Sequence, residues 1–298
     1  EDLFWAVRGG TGNNFGVLLE ATYQLHHLPK VWAWGLRWEM EEAAEVLNEL
    51  QKNFMLTHDD RTLGFQGAIT TNEGKQCVMM RGMVNGDEAA GRAAIAGMME
   101  IGNPTLQLHA EGSYMEWDDG LLDGVPPITP TENGFPLKED KFSVYLGRVL
   151  TVAEWQEVFD FFATAPNPGN TIGMEIGGGA VSAYPAGKSA YIHRDVYMDF
   201  FVDSFWYDPE DEEKAKQWIL DFRAIMEKYW NGHSYQNYPR RDNTDYRYMY
   251  FGEAFNSLLA VKQKYDPDNF FTFPQAIEPI PDDAPAEVRR PSSPSRFG

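Results

Sequence analysis

An α+β fold, an antiparallel sheet covered by helices on one face, is what these 298 residues predict. Three observations carry that reading. Strand-like and helix-like stretches come in the order strand, helix, strand, strand, helix, and the order occurs twice, as a helical layer on an antiparallel sheet requires. Apolar residues make up 43% of the chain and aromatics 14%, enough for a substantial core. No apolar run approaches the roughly 20 residues that cross a bilayer.

The elements follow in order. "DLFWAVRGGTGNNFGVLLEATYQL" has a glycine-rich centre, after which Val17, Leu19, Ala21, Tyr23 and Leu25 alternate with Glu20, Thr22 and Gln24 at the period of a half-buried strand. "VWAWGLRW" is a strand, and "EEAAEVLNELQKNF" a helix whose first-turn acids suit its dipole. "TLGFQGAIT" and "QCVMMRGMV" are strands, and a helix runs from about Asp87 to Met99. Past the loop "GVPPITPTENGFP", "KFSVYLGRV" is a strand, and Thr151-Val152-Ala153-Glu154 opens a helix with a capping box. "TIGMEIGGG" and the longer "YIHRDVYMDFFVDSFW" are strands, and Asp208-Pro209 starts another helix as cap and first-turn proline. A last helix, Phe251 to Tyr265, stops at Asp266-Pro267. The tail 280–298, rich in proline, serine and charge, is expected to be disordered.

A net charge of −20 repels phosphate backbones and anionic lipids, so neither a nucleic acid nor a membrane is the expected partner. The single cysteine, Cys77, sits in an apolar strand and reads as packing; the histidines lack metal-ligand spacing, so no metal is expected. The opening Glu1-Asp2-Leu3, without methionine or signal peptide, reads as a fragment or processed piece. "GTGNNFG" invites a dinucleotide-binding reading. Its spacing, Gly10-x-Gly12-x-x-x-Gly16, is not GxGxxG, and strand period rather than helix period follows it. A glycine-rich hairpin is the plain alternative.

Three blocks carry a resemblance. "DLFWAVRGGTGNNFGVLLEATYQLHHLP" resembles the segment joining flavin and substrate domains in berberine-bridge-type FAD-linked oxidases, of the vanillyl-alcohol-oxidase-like fold, which include oligosaccharide oxidases. "NYPRRDNTDYRYMYFGEAFNSLLAVKQKYDPDNFFTFPQAIEP" is similar to that family's C-terminal block, and "GGGAVSAYPAGKSAYIHRDVYMDFFVDSFW" to its middle. The likeness spans Asp2 to about Pro279. It implies that 1–29 end an FAD-binding domain of the PCMH/VAO type, 30–234 form the substrate domain, and 235–279 return to the FAD-binding domain. Most of the flavin domain would then lie upstream, including the residues that in many members bond covalently to FAD.

The same resemblance implies an FAD-dependent oxidase that takes hydride from an alcohol, a carbohydrate or other secondary alcohol, with O2 as reoxidant and H2O2 as product. The expected partners are a small-molecule substrate, O2 and the missing N-terminal segment; the expected location is outside the cell. The tyrosine of the family's Asn-Tyr pair, here Tyr238, would be the catalytic base. A phenol of pKa ~10 must be brought down by about 4 kcal/mol to ionise near neutrality, and Arg240 and Arg241 are the nearby cations in sequence. Flavin contacts are expected from Gly9, Gly10, Gly12, Asn14, Phe15, Gly16, Val17, Tyr235 and Asn237. Substrate contacts are expected from Tyr197, Asp199, Phe201 and Asp203, which share a strand face and offer acceptors and rings to sugar hydroxyls. His193-Arg194 reads as structural. Oxidative cyclisation of a phenolic or alkaloid substrate is the alternative on the same scaffold. A binding module that has lost flavin, and an NAD-dependent dehydrogenase with a helix after Gly16, are the alternatives of other classes.

Overall fold

A computed structural model describes residues 1–28, 30–56, 59–122 and 138–278. Helix α1 (Asp2–Ala6) leads into the glycine-rich turn, and an extended segment then reaches β1 (Val31–Glu39). Helix α2 (Ala43–Leu50), hairpin β2 (Leu63–Asn72) and β3 (Lys75–Asn85), and α3 (Glu88–Ile95) follow. Next come β4 (Thr105–Gly112), α4 (Tyr114–Leu122), β5 (Lys138–Leu146), α5 (Val152–Phe162) and β6 (Thr171–Ile176). The chain ends through α6 (Gly179–Ala183), β7 (Met198–Trp206), α7 (Glu212–Met226) and α8 (Phe255–Tyr265).

The strands form one antiparallel sheet in the order β4-β1-β3-β2-β6-β7-β5. Alternation gives it two unlike faces. Trp32, Trp34, Leu36 and Trp38 of β1 continue through Val78 and Met80, Ile69, Ile172 and Met174, Phe200 and Val202, to Phe142 and Val144, all buried in one core. Val46 and Leu47 of α2, Ile95 of α3, Trp155 and Phe162 of α5 and Trp218 and Phe222 of α7 cover that face. Each such side chain contributes roughly 1.5–3 kcal/mol on burial, so this layer holds the sheet rigid. The opposite face carries Arg81, Gln66, Glu175, Asp199, Asp203 and Lys141, of which Asp199 and Asp203 are buried and the others partly exposed. A second, smaller core joins the two ends of the chain: Ala6 and Phe15 pack with Tyr246, Met249, Phe251, Leu258 and Ile277.

The structure departs from the sequence expectations at several places. The residues after Gly16 are extended but enter no sheet: Val17 to Leu28 are exposed, Leu19 to 92%, because no described strand offers them hydrogen-bond partners. No hairpin forms there, and no helix follows Gly16, which removes the dinucleotide-fold reading. The long strand from Tyr191 begins only at Met198, since the preceding backbone is drawn to the N-terminal turn, Ala190 N–H donating to Trp5 O and Tyr191 N–H to Arg8 O. The segment 105–122, given no element above, forms β4 and α4. The loop 124–136 and the tail 280–298 lie outside the described residues.

Candidate active site

The open sheet face and the chain from Asn231 to Tyr238 meet at the β5–β7–β6 end. Beyond β5, Tyr145 N–H donates to His233 O and Asn231 N–H to Tyr145 O, which fastens residues 231–233 along that edge. Ser143 Oγ then lies 3.1 Å from Ser234 Oγ and accepts from Tyr235 N–H at 3.0 Å, which anchors the turn. The turn closes through Tyr238 N–H to Tyr235 O and carries the Tyr238 ring back over the sheet.

There Tyr238 Oη donates to Glu175 Oε1 at 2.6 Å. Its ring packs on Phe201, and Lys141 Nζ stands 4.2 Å from the Tyr238 ring centre and 4.4 Å from that of Phe201. Phe201 can lie flat here because residue 173 opposite it is glycine; a Cβ there would meet the ring at 2.0 Å. Lys141 is held by Asp203 at 3.0 Å. Glu175 and Asp199 are directly cross-strand. Burial, with the Glu175 charge beside it, pushes the Asp199 carboxyl well above the usual carboxylate range.

Burial, the Glu175 bond and the nearby carboxyl groups also push the Tyr238 phenol up, not down. The expected arginine effect is therefore corrected. Arg240 binds Asp140 at 2.5 Å and Asp242 at 2.8 Å, and Arg241 is exposed. The phenol stays protonated and hands its proton toward a carboxylate. Glu175 and Lys141, which complete the site, were not singled out in sequence; only cross-strand register brings them to Tyr238.

Next to Tyr235 a cavity of about 290 Å³ opens between the 235–237 turn and the glycine loop, with Arg8, Gly9, Thr11, Gly12 and Tyr191 on its wall. Gln236 Nε2 donates to Gly9 O and ties the two sides together, while Gln236 Oε1 is buried without a partner. Asn237 Nδ2 donates to Tyr235 Oη. Thr11 (φ 61°) and Asn13 (φ 72°) hold the loop in left-handed conformations, and Gly12 has an open side where a side chain would project.

Of the residues expected to contact flavin, the structure brings Gly9, Gly12, Tyr235 and Asn237 to this cavity. Gly10 packs against Ala6 O and Leu258 instead. Asn14 is fully engaged behind the loop, its amide donating to Gly10 O and Thr11 Oγ1 and its Oδ1 accepting from Ile277 N–H. Phe15 belongs to the second core, and Gly16 and Val17 lie on the outward segment. Asp199, Phe201 and Asp203 stand on the site face. Tyr197 does not: it precedes the strand, turns into the helix-covered core and donates to Arg148 O at 2.6 Å. His193 is buried, stacks on Tyr145 at 4.3 Å and faces His233. Among the described residues, no group of three His, Cys, Asp or Glu side chains is placed to hold a metal.

Residues 234–278, the turn that carries Tyr238 through to the second core, match the berberine and berberine-like family. The resemblance read from the three blocks holds. The chain is 28% identical to the chitooligosaccharide oxidase of Gibberella zeae over 93% of its length and 58% of that protein's. It is 24% identical to an uncharacterized FAD-linked oxidoreductase of Bacillus subtilis, over 94% of itself and 59% of the relative. In fold it superposes on a berberine-bridge-like protein of Arabidopsis thaliana with a TM-score of 0.81 at 21% identity, over 93% and 62% of the two chains. The berberine bridge enzyme of Eschscholzia californica gives 0.79 at 17%, over 94% and 61%. The chain thus spans about 60% of the length of the relatives it matches. No helix among the described residues is long and apolar enough to cross a membrane.

Proposed function

We propose that this chain supplies the substrate face and the proton-accepting pair of an FAD-dependent oxidase acting on the hydroxyl of a carbohydrate. The observation that carries the reading is the Tyr238–Glu175 hydrogen bond on an open polar face, one turn away from a cavity walled by the glycine loop. The named activities among similar proteins, a chitooligosaccharide oxidase and a pollen protein with glucose dehydrogenase activity, support the substrate class.

The cavity suits one end of a flavin. Its wall is a glycine-rich backbone with an open side at Gly12, flanked by Tyr191 and Tyr235, and the buried Gln236 Oε1 is an acceptor in want of a donor. Its volume is at the low end for ligand pockets, so the remainder of a dinucleotide must be held by other residues. A bound flavin would supply the hydride acceptor for the carbinol carbon, with O2 as final oxidant and hydrogen peroxide as product. Gly9, Gly12, Tyr235 and Asn237 would border it. Tyr238 takes the substrate hydroxyl proton as its own proton passes to Glu175, so no free phenolate need accumulate. Lys141, held by Asp203, fixes the Tyr238 and Phe201 rings, and the burial of Asp199 disfavours a second negative charge beside Glu175.

The exposed segment 17–28 is extended, partly apolar and without sheet partners, and we propose that the sheet of an upstream flavin domain pairs with it. An extracellular site of action fits an enzyme that releases peroxide from soluble saccharides. The test is direct. Full-length protein should be yellow and should generate hydrogen peroxide from neutral oligosaccharides. Colourless protein that stays colourless with added FAD overturns the reading.

A further inference from the structure

We infer that Arg81 and Gln66 form a subsite for a carboxylate carried by the substrate, two strands from the Tyr238–Glu175 pair. The inference rests on the reading above, that this sheet face holds a saccharide. Strand register draws one row across the open face. Tyr145 of β5 opposes Asp199 of β7, Asp199 opposes Glu175 of β6, Glu175 opposes Gln66 of β2, and Gln66 opposes Arg81 of β3. Two strand spacings put Arg81 about 10 Å from Glu175, beyond the reach of a single sugar ring held at Tyr238 and within that of its neighbour.

Arg81 is one of several arginines, half-buried Arg194 and Arg247 among them, that make no ion pair with a described residue, and of these three it is the one carried on a sheet strand, β3. The protein holds 45 Asp and Glu against 25 Lys and Arg. Arg37 pairs with Glu39, Arg92 with Glu88, Arg148 with Glu154 and Arg240 with Asp140. Lys141, the cation nearest Tyr238, is taken by Asp203. Arg81 makes no ion pair with any described residue, although it is half-buried and its surroundings disfavour the charge. Holding a partly desolvated cation without a partner costs stability, and packing alone would have been served by an apolar residue.

Among the described residues, the side chain that engages Arg81 is that of Gln66, and it orients the guanidinium. With its amide turned to satisfy both groups, Gln66 Oε1 accepts from Arg81 Nε at 3.2 Å and Nη2 at 3.3 Å. That fixes the plane of the guanidinium and leaves Nη1 free of any such bond. A planar cationic donor held in place over a polar face matches a carboxylate. The ligand that fits both ends of the row is an acidic disaccharide or longer saccharide, with a reacting hydroxyl at Tyr238 and a uronate carboxylate at Arg81.

The experiment uses full-length, flavin-loaded protein and two probes that differ only in the carboxyl group. One is a disaccharide of glucuronic acid and a neutral hexose, the other its carboxyl-reduced counterpart. Calorimetric titration should show the acidic disaccharide binding about tenfold more tightly, as one charge-assisted hydrogen bond yields. In R81Q the ratio should fall to about one, in R81K it should survive in part, and in Y238F it should persist while peroxide formation is lost. Equal affinities in the unaltered protein overturn the subsite, and so does a preference that survives in R81Q. A preference that depends on Arg81, without oxidation of either sugar, keeps the subsite and removes the oxidase reading. Oxidation of both sugars without preference does the reverse.

Discussion

A phenol whose proton is held by a carboxylate cannot be described as a base by itself. Tyr238 sits with its hydroxyl directed at Glu175, and burial, that bond and the neighbouring carboxyl groups make its ionisation harder. What the pair can do is move two protons in step, substrate to Tyr238 and Tyr238 to Glu175. Glu175→Gln should therefore lower kcat by about two orders of magnitude with little change in KM, the usual size of a general-base contribution. Steady-state kinetics with a neutral oligosaccharide measures it, and an unchanged kcat would return Glu175 to a supporting role. His193 makes a second residue-scale prediction. Only 2% exposed, it is pushed down to about 3, chiefly by burial. Below about 6.5 the unfolded chain gains a proton at this position that the folded chain takes up only near pH 3. The unfolded state thus binds more protons in that window, and stability falls as pH drops through it, by up to about 1.4 kcal/mol per unit. His193→Gln should flatten the decline in urea unfolding between pH 6.5 and 4; an unaltered slope would mean the histidine is already charged.

Helices and strands differ in how plainly they were written. Thr151 to Glu154 announces α5 through a local reciprocal bond, and both halves of the capping box form. Thr151→Ala should cost about 1 kcal/mol in urea unfolding, and a loss near zero would mean the helix is held by its core face alone. The β4 alternation of Leu106, Leu108 and Ala110 was equally present in the sequence, yet its polar partners and edge position gave it no distinguishing mark. The segment 17–28 shows the converse: its period is a strand's, but a strand exists only where another lends hydrogen bonds. Tyr191 to Tyr197 stays out of β7 for a related reason, since the backbone partners that hold its start, in α1 and the turn after it, are distant in sequence. In the site, Tyr238, Asn237 and the glycine loop were legible through family blocks, whereas Glu175 and Lys141 depend on register across three strands. Gly173 belongs to the same class. Gly173→Ala should push the Phe201 ring off its seat, loosen Tyr238 and lower kcat/KM about tenfold or more, while normal kinetics would show that the ring can move aside.

Across the whole molecule two cores divide the labour. The larger fixes the sheet and therefore the row of polar side chains on its open face. The smaller fastens the glycine loop to the C-terminal return, with buried Lys262 Nζ donating to Asn14 O, Phe271 O and Asp266. Lys262→Met leaves that carboxylate and two carbonyls without their donor, and should cost about 3 kcal/mol while releasing the loop that walls the cavity. Thermal unfolding would register it, and a shift of less than a degree would mean the loop is held by other contacts. The exposed segment 17–28 should be the first region cut by protease in this chain and become protected when the upstream polypeptide is present. The central claim, that Tyr238 receives the substrate proton beside a bound flavin, is tested most directly by rapid mixing of full-length enzyme with an oxidisable saccharide without oxygen. Bleaching of the flavin absorbance should be at least a hundredfold slower in Tyr238→Phe than in the unaltered enzyme, with flavin still bound; equal rates would contradict the account.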